Sequence, residues 1–120
     1  MQTSPANVTE HDIPVVEVQV IGDLCGPALP GFETSVTEAL TLRPALLVVD
    51  LGRCPLIDAA GIGMLLDLHR QMRRRDSRLA VREPTAQVRR LLRIARVDQI
   101  LDILPAPVAA HRIPAERDLS

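Results

Sequence analysis

From Pro14 to Leu24 the chain reads PVVEVQVIGDL, with Val16, Val18 and Val20 alternating against Glu17, Gln19 and Ile21. A period of two predicts a β-strand with one core face and one more polar face, a pattern compatible with the edge of a sheet, and Gly22-Asp23 ends it with turn chemistry. Past Pro27 and Pro30, the residues Phe32, Val36, Ala39 and Leu40 fall at helical spacing until Pro44 stops the pattern, predicting a short amphipathic helix. ALLVVDL, from Ala45 to Leu51, is almost continuously apolar, as in a strand covered by helices on both faces. It is the expected central strand.

Residues 59 to about 75 predict a second helix, with Ile62, Leu65, Leu66, His69 and Met72 on one face and Asp67, Arg70, Arg73 and Arg74 elsewhere. Asp58 stands where this helix begins, so its carboxylate is placed to accept a hydrogen bond from a free N–H of the first turn. That turn also carries Gly61 and Gly63, each unfavourable by ~1 kcal/mol relative to Ala, which predicts close backbone approach there by the sheet or by a partner. RLAVRE reads as a further strand and Pro84-Thr85 as the start of a third helix, with Thr85 as its cap. Val88, Leu91, Leu92 and Ala95 then oppose Arg89, Arg90, Arg93 and Arg96. QILDIL, 99–104, supplies a last strand.

Strand, helix, strand, helix, strand implies an α/β domain over 13–104, a small mixed, largely parallel sheet with helices packed on it. Residues 1–12 read as a mobile leader, and 105–120, with three prolines and scattered charges, as a loose tail.

Composition narrows what such a domain does. At 120 residues there is one core's worth of chain, and Phe32 is its sole aromatic, so the core is aliphatic and no platform exists for stacking bases. No apolar run reaches the roughly 18 residues that cross a bilayer and the N-terminus lacks secretory-signal character, which makes the cytoplasm the expected compartment. Cys25 and Cys54 lack CxxC spacing and read as reduced thiols, while His11, His69 and His111 are dispersed, so neither a metal site nor a catalytic role is assigned to them.

All fourteen basic residues are Arg, and ten lie between Arg70 and Arg96 with only Asp76 and Glu83 as acids, a formal +8 against −9 for the rest of the chain. This segregation favours an acidic partner or head-to-tail self-association, hence a homo-oligomer, although solvated helix faces account for it equally well. Asp50 and Asp58 flank one turn, but no nucleophile, metal-ligand set or phosphate-cradling loop accompanies them, so no enzyme and no cofactor is expected. Asp50 is assigned to the strand end and Asp58 to capping.

The GDL after the first strand, the VVDL strand, DAAGIGMLL and the following LAVREPTAQVRRLLRIARVDQIL together resemble the STAS domain of bacterial anti-sigma-factor antagonists, over about residues 14–104. The resemblance implies a binding module that docks on an anti-sigma factor, often a serine kinase of the histidine-kinase-like ATPase fold, and so releases a sigma factor. It also implies a phosphoacceptor hydroxyl directly after the motif Asp. Here that position is Ala59, followed by Ala60, so the family's switch is missing. Phosphate would add about −1.5 to −2 charges to a docking surface, whereas a methyl group stays near the unmodified, binding state.

The docking surface expected on this basis is the turn at Asp58, Ala59, Ala60 and Gly61 with the helix face at Gly63, Met64 and Asp67. Small residues there admit close approach of a partner. Thr34, Ser35, Thr37 and Ser77 are other hydroxyls, but nothing in their spacing marks one as an acceptor. Single STAS domains also serve as subunits of lipid-transport ATPases, and a divergent scaffold is a further alternative. Nucleic-acid binding through the Arg-rich stretch lacks any reading motif, and membrane insertion is not expected.

Overall fold

The structure is a computed structural model and describes residues 11–105 and 111–114. Its strands are β1 (Ile13–Ile21), β2 (Pro44–Arg53), β3 (Arg78–Arg82), β4 (Asp102–Leu104) and β5 (His111–Pro114), and its α-helices are α1 (Leu29–Leu40), α2 (Ala59–Arg74) and α3 (Ala86–Ile94). They form a five-stranded sheet in the order β4-β3-β2-β1-β5, and every described pairing is parallel. The mixed component expected of the sheet is therefore absent among the described strands.

Two other expectations are corrected at the sheet's far side. β1 is an interior strand, because β5 pairs with it from Val16↔His111 to Gln19↔Pro114. Part of the stretch read as a loose tail is thus a strand; four residues, one of them Pro, are too few to show a period, and Pro is tolerated on an edge strand. At the other end, Asp12 donates its N–H to the Arg43 carbonyl at 3.0 Å, so the leader is already tied down where β1 begins. Residues 1–10 lie outside the described residues.

Register sorts the strand side chains onto two faces. Val16↔Leu47↔Leu79 and Val18↔Val49↔Val81 align on one of them. There they join Phe32, Val36 and Ala39 of α1, Leu65, Leu68 and Met72 of α2, and Val88 and Leu92 of α3 in one buried cluster. Each such side chain contributes about 1.5–3 kcal/mol of burial, and dense aliphatic packing replaces the missing aromatics. The other face carries Glu17↔Val48↔Ala80 and Asp50↔Arg82, which are also buried but stand outside that cluster.

α2 is rotated from the expected face: Gly61, Leu65, Leu68 and Met72 are buried, whereas Ile62, Leu66 and His69 are only half-buried. The charge pattern pulled the inferred stripe aside, since Leu68 sits between Asp67 and His69 in sequence. β4 is shorter than QILDIL because Val97–Gln99 wind into a 3-10 turn. Arg43, Asp76 and Arg96, following α1, α2 and α3 in turn, all adopt positive φ, of 50°, 59° and 62°. Non-glycine residues thus close all three helix-to-strand connections in the left-handed region usually held by glycine.

Candidate functional site

Where β2 ends, the chain folds back at Cys54, whose N–H donates to the Leu51 carbonyl at 3.1 Å. It then runs beside the loop that follows β1. Gly22 donates to the Arg53 carbonyl at 3.0 Å, Leu24 to the Leu56 carbonyl at 2.9 Å, and Leu24 and Ile57 form a parallel bridge. Parallel pairing of β1 and β2 therefore continues past the strands to the mouth of α2. Ligands and partners of parallel α/β sheets characteristically meet this carboxyl end of the strands.

Asp58 locks the two segments together. In extended backbone (φ −106°, ψ −178°) it caps α2, its Oδ1 accepting from the Gly61 N–H at 2.8 Å. Its Oδ2 accepts from the Gly26 N–H at 3.4 Å, and its own N–H donates to the Leu24 carbonyl at 3.4 Å. The capping role is as expected. With both oxygens bonded within the chain, however, Asp58 holds the turn at the mouth of α2 rather than offering a free carboxylate.

The two glycines of the first helical turn part company. A Cβ on Gly61 would stand 2.4 Å from the Leu24 carbonyl oxygen and 2.8 Å from Ile57 Cγ1, so the close approach predicted there is to the protein's own backbone. Gly61 is buried and is removed from the contact surface expected of it. Around Gly63 a Cβ would meet nothing within 4 Å.

Ala59 and Ala60 are exposed, Gly63 and Met64 half-buried, and Asp67 exposed and paired with Arg70 Nη1 at 2.6 Å. Residues 60, 63, 64 and 67 share one face at helical spacing. Leu56, 38% exposed in the turn just before Asp58, adds apolar surface to this rim, and Ile21, 42% exposed, ends β1 beside the groove against α1. Sequence reasoning missed both, because single apolar residues in turns carry no period.

Beneath the rim, Thr85 Oγ1 accepts from the Val88 N–H at 3.3 Å, as expected of a cap, and donates to the Cys54 carbonyl at 3.2 Å. One hydroxyl thereby fixes the start of α3 against the turn leading to α2. Cys54 is buried with Sγ donating to the Leu56 carbonyl at 3.2 Å, and burial pushes its thiol up from the ordinary value. Both cysteines are free thiols.

The Asp50 assignment is corrected. Asp50 is buried within β2, not placed at a strand end, and its Oδ2 lies 2.5 Å from Arg82 Nη2 while Oδ1 accepts from the Gly52 N–H at 2.8 Å. Arg82 Nε also reaches Glu17 Oε2 at 2.5 Å, and that hydrogen bond, ahead of the cost of burial, holds the guanidinium even more firmly protonated than usual. An acid inside an otherwise apolar strand was the available signal, since a buried carboxylate requires a partner. Arg82 is thus part of the interior and not of a basic surface.

Among the described residues no group of three or more His, Cys, Asp or Glu side chains is placed to hold a metal ion. His11, read as part of a leader, bonds through Nε2 to Ser77 Oγ at 3.1 Å. Ser77 is buried, and Thr34 and Thr37 lie exposed on α1.

A parallel α/β sheet whose second strand leads into an Asp-capped, alanine- and glycine-lined helix defines a class, and the comparisons agree with it. A family model described as "Mlab, STAS domain" matches residues 9–105, and the chain belongs to the STAS domain family. Among solved structures, a SulP transporter STAS domain from Vibrio cholerae has a TM-score of 0.59 at 17% identity, covering 87% of this chain and 77% of that one. No curated protein matches the chain.

Proposed function

We propose that this chain is a non-enzymatic docking module of the anti-sigma-factor-antagonist kind. Its partner is an anti-sigma factor, including the serine kinases of the histidine-kinase-like ATPase fold, and docking frees a sigma factor in the cytoplasm. The observation that carries the reading is the exposed pair of methyl groups, Ala59 and Ala60, at the mouth of a helix held rigid by Asp58.

Leu56 to Met64 contain no hydroxyl, so a kinase has nothing to esterify and the rim stays contact-competent. Control then resides in the abundance of the module or in its partner. A preorganised surface also favours binding, because little ordering accompanies it.

The test is affinity capture of the wild-type chain and of Ala60→Trp, with thermal unfolding beside it. The variant, altered at an exposed site, is expected to unfold within about 0.5 kcal/mol of wild type and to lose the anti-sigma factor. Retained binding would move the interface elsewhere. Incubation with the captured kinase and ATP should leave 56–64 unmodified by mass spectrometry.

Similarity to the Mlab-type STAS family model and to a SulP transporter STAS domain supports a second reading, a subunit that grips a transporter. Capture of a transport ATPase in place of an anti-sigma factor would establish it over the first.

A further inference from the structure

The outer side of α3 carries an exposed large apolar side chain among its arginines. Val88 and Leu92 enter the core, but Ile94 is 68% exposed, and with Leu91 and Arg90 it lines a shallow depression of about 450 Å³. Arg89, Arg93 and Arg96 lie on the same helix or just after it, all four arginines are exposed, and none joins an ion pair among the described residues. An exposed isoleucine beside Arg90, on a helix rich in guanidinium groups outside any described ion pair, calls for an apolar site edged by carboxylates.

The chain itself carries one. Between the end of β1 and α1 lies a groove of about 380 Å³, with Val20, Ile21 and Phe32 in its apolar wall and Asp23 and Glu38 as its carboxylates. No basic side chain lines it among the described residues, and neither acid has an ion-pair partner there. The two surfaces cannot meet within one copy: α1 packs on β1, β2 and β5, while α3 packs on the turn that leads to β4 at the opposite edge of the sheet.

We propose that α3 of one copy seats Ile94 in the β1–α1 groove of a second copy, with Arg90 and Arg93 facing Asp23 and Glu38. Because the two surfaces differ, the contact is head to tail and does not close on itself, so assemblies grow with concentration. Its electrostatic part is screened by salt. The exposed arginines of α3 thereby acquire a use as one end of a contact whose other end is Asp23 and Glu38.

Sedimentation velocity of the full chain decides the matter. At low ionic strength the wild-type mass should rise with concentration through dimers to larger species and fall back when salt is added. Ile94→Asp should weaken association by about tenfold or more, as loss of a central apolar anchor does. Arg90→Glu/Arg93→Glu, which leaves the apolar strip intact, should act likewise, and so should Asp23→Arg/Glu38→Arg in the groove; circular dichroism checks that each remains folded.

Mixing the Ile94→Asp and Asp23→Arg/Glu38→Arg chains should restore one good contact and give dimers that grow no further. A wild-type chain that stays monomeric up to about 1 mM would overturn the proposal. So would a closed wild-type dimer, failure of the mixture to complement, or an α3 whose arginines hold anionic vesicles while the chain remains monomeric.

Discussion

In the sheet of this STAS domain, charged groups lie inside; at the mouth of α2, methyl groups lie outside. Glu17, Asp50 and Arg82 are no more than 4% exposed and bond to one another, while Ala59 and Ala60 face solvent beside a carboxylate that is fully engaged with backbone. The contrast inverts the usual sorting of polar and apolar residues. It teaches that a buried ionic group is architecture once its partners surround it, and that small apolar side chains can be left at the surface when a rigid frame holds them.

The strongest way to break the closed region is Arg82→Met, which leaves two carboxylates buried beside an alkyl chain. It should cost about 3–5 kcal/mol by urea unfolding, because an uncompensated buried charge is worse than no pair at all. An undiminished stability would mean that the ionic cluster does not hold the sheet together.

Next in size is the boundary between closed and open regions. Gly61→Ala forces a Cβ onto the Leu24 carbonyl and should cost about 2–3 kcal/mol, whereas Gly63→Ala, with open space around it, should add up to about 1 kcal/mol through helix propensity. Two substitutions of the same chemistry, two residues apart, thus move the denaturation midpoint in opposite directions. Equal signs would show that the rim is not held by the Leu24 loop.

The smallest effect is a slope. Burial raises the pKa of the Cys54 thiol in the folded chain, so the native state keeps a proton that the unfolded state releases once pH passes the ordinary thiol value. Stability from this group is whole below that pH and declines as pH rises from there toward the folded value, by at most about 1.4 kcal/mol per unit. Cys54→Ala, though less stable at neutral pH, should show a flatter alkaline limb.

Much of this was legible in the chain. Capping by Asp58 and Thr85, the buried β2, three helices on a parallel sheet and the missing hydroxyl at Ala59 follow from local patterns and turn chemistry, which act over a few residues. Resemblance to the STAS family extended those patterns to the whole domain. The Glu17–Arg82–Asp50 cluster was not visible, since its members stand 33 and 32 residues apart and only strand register brings them together. β5 escaped because pairing to β1, not any period of its own, makes it a strand.

The sequence by itself determined the three helices and the strands β1 to β3, that the core is aliphatic, and that no hydroxyl lies on the α2 turn to take a phosphate, because these depend on side-chain type and short-range spacing. Tertiary structure alone decided which glycine is closed and which is open, which arginine is interior, and that the acidic groove and the basic helix sit at opposite edges of the sheet. Those are matters of distance between elements far apart in the chain, and such distances exist only once the strands have been laid side by side.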